Sequence, residues 1–276
     1  MLAGRCVLLM IAANFCAVAD ALAAVVAPQT MLRPTKPWVL NYAETQCLAT
    51  RVYDAPDGPL TFGIRPALNG ESYELLLVFT RSGPRFGEEL EGSVDFGQGE
   101  MKPWLLRYGL RPGKLDVYQF KIDLAQMAQA RTARGVTLRA KGGPHVALSL
   151  SDMPDLLKGM AECTEDLKRY WNADGIESGK IKTPPRGDVR SLFTSQDYPE
   201  EAFSRQQEGT AQFVLLVNGK GRVEACHVLQ PSGVPVFDVM GCQVIKERGR
   251  FRPALDQQGR PVRSTVTTPP VVWRMF

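Results

Sequence analysis

The amino-acid sequence predicts an α+β protein in two domains, a β-rich N-terminal domain with two helices followed by a small domain ordered α-β-β-α-β. Three observations carry that expectation. The chain has 276 residues, more than one core usually organises. Short runs rich in β-branched and aromatic residues recur from Trp38 onward, separated by Gly, Pro, Asn and Asp. A stretch poor in apolar side chains, with Gly175, Gly179, Pro184, Pro185 and Gly187, then divides them from a second set of helical and β patterns. The expected boundaries are 1–23 for an export signal, 24–171 for the first domain, 172–192 for a linker and 193–276 for the second domain.

At the start, Arg5 precedes an apolar run from Cys6 to Val18, and Ala21-Leu22-Ala23 fits an A-x-A cleavage site. This predicts a secretory signal cut after Ala23. The alternative is an uncleaved membrane anchor at residues 6–27, against which Asp20 and the cleavage pattern weigh. In an exported chain the remaining Cys47, Cys163, Cys226 and Cys242 are expected as disulfides. Three pairings exist, and the linker between the two pairs favours Cys47 with Cys163 and Cys226 with Cys242. With no C-x-x-C pair and only His145 and His227 as imidazoles, no metal or other cofactor is expected. A balance of 33 basic and 29 acidic residues leaves +4 without a basic run, so no nucleic-acid partner is expected.

In the first domain, strands are predicted at Trp38 to Ala43, Gln46 to Tyr53, Leu60 to Arg65 and Tyr73 to Phe79, with Asp54 to Pro59 and Asn69-Gly70 as turns. Ser82 to Gly113 reads as a glycine-containing loop. Leu115 to Ile122 is a strand, Leu124 to Ala133 a helix capped by Asp123, and Val136 to Arg139 and Val146 to Leu150 further strands. A second helix begins after Ser151 or Asp152, with Pro154 in its first turn. Leu156, Met160, Cys163 and Leu167 share its apolar face.

In the second domain a helix is predicted from Pro199 to about Gln207, with Glu200 and Glu201 at its positive end. Gly209 ends it, and two β segments flank the turn Asn218-Gly219-Lys220-Gly221. Phe213, Leu215 and Val217 alternate with Val214 and Leu216, so one face is expected under helices and the other partly exposed. A helix from Pro235 to about Glu247 turns Phe237, Met240 and Val244 inward. The last strand, Pro261 to Trp273, is expected at a sheet edge because Pro269 and Pro270 lack backbone donors.

Tyr198-Pro199 with Ala202, Gly209, the Val217-x-Gly219-x-Gly221-x-Val223 turn, Ser232-Gly233, Asp238, Arg250-Phe251-Arg252-Pro253-Ala254 and Gly259-x-Pro261-Val262 together resemble the C-terminal domain of TonB-type energy transducers. The resemblance covers about the last 80 residues of the sequence. It implies two helices on a three-stranded antiparallel sheet, in a periplasmic domain that touches outer-membrane receptors and holds a short receptor segment at its sheet edge. The first domain, with Cys47, Arg51 and Cys163 to Trp171, is similar to an exported alphaproteobacterial module that accompanies such domains; that likeness names no activity. A transducer also needs a permanent anchor and a long Pro-rich rod. The pattern here is instead a cleavable segment and a short linker.

The function expected is therefore a periplasmic, non-enzymatic module that binds an envelope protein or peptide, an outer-membrane receptor among them. An inner-membrane energy transducer is the alternative and a structural envelope protein the third; a membrane contact is expected only if the first segment stays uncleaved. The candidate peptide edge is Val262, Ser264, Val266, Thr268, Val271 and Trp273. The basic face before it is Arg248, Arg250, Arg252, Arg260 and Arg263. Ser232 near His227 and Asp238 suggests a triad, but Ser and Gly there are read as turn chemistry. Gly92, Gly97 and Gly99 lack the context of a phosphate loop.

Overall fold

The computed structural model describes residues 30–67, 72–84, 87–110 and 114–275. The expected export signal, the alternative anchor and the Asn69-Gly70 turn lie outside the described residues.

The first domain contains β1 (Val39–Ala43), β2 (Gln46–Ala55), β3 (Gly58–Pro66), β4 (Ser72–Phe79), β5 (Glu88–Leu90), β6 (Gly92–Asp95), β7 (Trp104–Leu110), β8 (Leu115–Asp123), β9 (Gly135–Ala140) and β10 (His145–Ser149). Helix α1 (Leu124–Ala128) follows β8, and α2 (Met153–Tyr170) closes the domain. Among the described residues, one antiparallel sheet runs β1-β2-β3-β4-β8-β7-β5 and a second runs β10-β9-β6. Alternation makes β2 two-faced, burying Cys47, Ala49, Arg51 and Tyr53. Phe62, Ile64, Leu75, Leu77, Phe120 and Leu138 join Met160 of α2 in one core.

Two local expectations change. Ser82 to Gly113, expected as a loop, supplies β5, β6 and β7; β7 pairs with β8 from Trp104 to Leu110. Its glycines punctuate strands rather than replace them: Asp95 Oδ1 accepts the amides of Gly97, Gln98 and Gly99 in one tight turn after β6. The residues expected to cap α2 do other work. Arg51 donates to Ser151 Oγ at 2.9 Å and lies 3.6 Å from the Asp152 carboxylate, and Asp152 makes no side-chain cap. Asp123, by contrast, caps α1 in a capping box with Gln126.

The second domain contains β11 (Ile181–Thr183), α3 (Glu200–Ser204), β12 (Gly209–Val217), β13 (Val223–Gln230), α4 (Pro235–Arg248), β14 (Ala254–Asp256), β15 (Pro261–Val262), β16 (Ser264–Thr267) and β17 (Val271–Trp273). The main antiparallel sheet has β12 at its centre, β13 on one side, and β16 then β17 on the other. The last strand is thus one strand position broken at Thr268-Pro269-Pro270. Helix α3 is shorter than expected because Gln206 takes a positive φ and the Gln207 amide turns back to the Ala202 carbonyl. At the hairpin tip Gly221 has φ +74, and a Cβ there would meet the Phe251 carbonyl oxygen at 1.9 Å. Only glycine fits that approach.

Residues 172–192, expected as a linker, join the two halves but are largely built into the second one. Strand β11 pairs with β14, Arg186 bridges to Arg252, and Val189 is buried in the second core.

The halves also meet directly. Leu216 and Ala225, on the sheet face away from Phe213, pack with the Cys47–Cys163 bridge, Leu167 and Trp171. Arg263 lies 3.7 Å above the Tyr170 ring, and the Asn172 side-chain amide donates to the Arg263 carbonyl at 2.8 Å.

Candidate functional site

The central position of β12 leaves two sheet edges, and the first domain occupies one of them. Along β13, Lys121 of β8 donates to the Leu229 carbonyl at 2.9 Å. The other edge is β16 and β17.

There the backbone decides what is offered. Thr268 donates its amide to the Phe213 carbonyl at 2.8 Å, and its hydroxyl accepts the Phe213 amide at 3.1 Å. Antiparallel alternation then turns the backbone groups of Thr265 and Thr267 away from β12. The Arg263 carbonyl, two residues earlier, faces the same way and is taken by Asn172. The open stretch is therefore short, bounded by the α2 end on one side and by Pro269-Pro270 on the other.

The side chains of the candidate edge residues face elsewhere. Ser264, Thr268, Val271 and Trp273 are buried, and Val262 and Val266 are half-buried, so these residues hold the strand in place. Thr267 and Val272 are exposed on the opposite parity. Beside β17 lies a groove of about 590 Å³, lined by Phe193, Tyr198, Trp273, Arg190 and Arg274. Trp273 stacks on Phe237 at 4.9 Å and meets Phe193 edge-on at 5.4 Å. Its buried Nε1 has no partner among the described residues.

Most of the candidate basic face is engaged internally. Arg248 forks onto Asp197 at 2.6 and 2.7 Å, and this hydrogen-bonded guanidinium holds the Asp197 carboxyl below its usual range. Arg250 donates to the Glu247 and Gly249 carbonyls, Arg260 pairs with Asp256 at 2.8 Å, and Arg263 covers Tyr170. Arg252 is exposed beside its bridge to Arg186.

The cysteines pair Cys47 with Cys163, tying β2 to α2, and Cys226 with Cys242, tying β13 to α4; the Cα separations are 6.1 and 5.5 Å. Ser232 sits in a turn: its hydroxyl donates to the Val234 carbonyl and accepts the Val234 amide, while Asp238 Oδ1 accepts the Ser232 amide. His227 Nε2 has no partner among the described residues, so no nucleophile and base are linked at this turn. Among the described residues, no three His, Cys, Asp or Glu side chains are grouped to hold a metal ion.

Phe193, Thr265 and Thr267 were not singled out from the sequence. Period-two patterning identifies two sets of side chains in the last strand but does not say which set faces the core, because both contain Val and Thr.

Residues 194–275 match the family model described as Gram-negative bacterial TonB protein C-terminal, under a third of the chain. The second domain is a TonB C-terminal domain, and with it the protein is TonB-like and of the cell envelope. No curated protein matches the chain.

Proposed function

We propose that this chain is an exported, non-enzymatic interaction protein of the cell envelope that holds a short extended segment of an envelope protein along β16. The observation that carries this reading is the pair of outward backbone positions at Thr265 and Thr267, beside an aromatic groove, in a TonB-type domain. TonB C-terminal domains contact outer-membrane receptors, which makes a receptor segment the favoured occupant. Main-chain hydrogen bonds would supply affinity, and the Phe193–Trp273 groove would select a side chain. The short open stretch favours a weak, reversible complex over permanent assembly.

The test compares the full chain with Thr265→Pro and Thr267→Pro after cross-linking in cells. Both substitutions remove an outward N–H without touching the β12 ladder. Loss of a defined envelope cross-link in both supports edge pairing; equal cross-linking in all three chains contradicts it. Periplasmic placement rests on the export pattern, and the mature mass checks it: the reading expects a first residue at Ala24. Among the described residues, no helix is long and apolar enough to cross a membrane.

A further inference from the structure

A cavity of about 570 Å³ lies in the first domain, where the large sheet meets the turn between β9 and β10. Two cations line it, Arg81 just after β4 and Arg107 of β7. Arg81 donates Nε to Asp116 Oδ2 at 2.9 Å, while Arg107 donates Nε to Oδ1 at 2.9 Å and Nη2 to Oδ2 at 3.1 Å. One fully buried carboxylate therefore brings both guanidiniums together. Arg81 also lies over the Phe79 ring at 4.4 Å and Arg107 over the Tyr118 ring at 5.2 Å. The rings and the shared carboxylate hold the pair in place before any ligand arrives.

Asp116 does not exhaust either cation. A guanidinium carries five N–H donors. Arg81 gives one of them to Asp116 and Arg107 gives two. The two side chains are 44% and 28% exposed, so both can be reached from the cavity they line. Asp116 neutralises one of the two positive charges. The other carboxylates nearby oppose an anion less: Glu88 is 3.7 Å from Arg107 but half exposed, and Asp57 stands exposed on the cavity rim. Leu32, Pro144 and Val146 add apolar wall. A cavity of this size with apolar walls and a few convergent polar groups is the ordinary form of a small-molecule site.

We propose that this cavity binds a small organic carboxylate with an apolar body, the anion on Arg81 and Arg107 and the body against Leu32, Pro144 and Val146. Carboxylates suit paired guanidiniums because their two oxygens accept charge-assisted hydrogen bonds from both. The site lies in the first domain and does not rest on pairing along β16.

Benzoate is titrated into the isotope-labelled full chain, and the amide signals of Gly142 and Gly143, which belong to the cavity wall, are followed by NMR. Benzamide keeps the ring and its size without the charge; acetate keeps the carboxylate without the ring. The proposal expects saturable shifts with benzoate at a Kd on the order of 1 mM, and about tenfold weaker binding of benzamide and of acetate. It also expects about tenfold weaker benzoate binding in Arg81→Gln, which leaves the two bonds from Arg107 to Asp116 in place. Failure of benzoate to saturate these signals, or equal binding of benzamide, overturns the proposal in the unaltered chain without recourse to a variant. Undiminished benzoate binding in Arg81→Gln overturns it as well.

Discussion

Asp238 and His227 carry the least ordinary chemistry at the residue scale. Burial raises the Asp238 carboxyl to about 6 and lowers the His227 imidazole to about 4. The two act on stability in opposite directions. Protonating His227 favours the unfolded chain, so its contribution to stability is lost as pH falls from 6.5 toward about 4. Protonating Asp238 favours the folded chain, so its contribution is lost as pH rises from 3.8 through about 6. His227→Gln should therefore remove a rise of stability with pH between about 4 and 6.5, measured as the difference from the unaltered chain by urea unfolding at each pH; an unchanged profile contradicts the assignment. Asp116 is a different case. It is fully buried and clamped by Arg81 and Arg107 at 2.9 Å each. Both arginines retain some solvent contact, so Asp116→Ala should cost about 2 kcal/mol in urea unfolding rather than the larger cost of stranding wholly buried charges. The Ser232 turn was legible in the sequence because Ser and Gly favour it. The burial of Asp238 was not, since an acidic residue in a first helical turn reads as an exposed partner of the helix dipole.

At the scale of elements, hairpin and helix starts were the most legible features. Asp123 and the Gly221 turn combine residue types with geometries that few others accept. β7 was obscured by the glycines and prolines around it, although its own Trp104 to Leu110 run is β-forming. The disulfides give an elemental prediction. The Cys47–Cys163 bridge spans 116 residues and Cys226–Cys242 spans 16. Chain-entropy arguments give upper values of about 5 and about 3 kcal/mol for them. Removing the first pair by double Cys→Ala substitution should lower stability more than removing the second; the reverse order in urea unfolding would contradict a dominant entropic origin. The parity of the last strand became legible only from its packing. Once Thr268 bonds to Phe213, Thr265 and Thr267 hold the outward backbone positions.

For the whole molecule, docking of the two domains decides which parts of the TonB-type fold remain accessible. Sequence alternation marked Leu216 as partly exposed because it reports the face of a residue, not what covers that face. The structure buries it completely against the Cys47–Cys163 bridge and Trp171. Leu216→Ala should destabilise the chain by about 2–4 kcal/mol and separate the unfolding of the two domains in calorimetry. A single transition with an unchanged midpoint would contradict a stabilising interface. The same docking covers the β13 edge and leaves β16 as the place for an extended partner. The most direct measurement uses a photo-cross-linking amino acid at Thr267 in the full chain, with one at Val39 on the first domain as the comparison. Binding along β16 gives a discrete envelope-protein adduct from position 267, abolished by Thr265→Pro, and none of that species from position 39. The same adduct from both positions, or one at position 267 that survives Thr265→Pro, would contradict binding along β16.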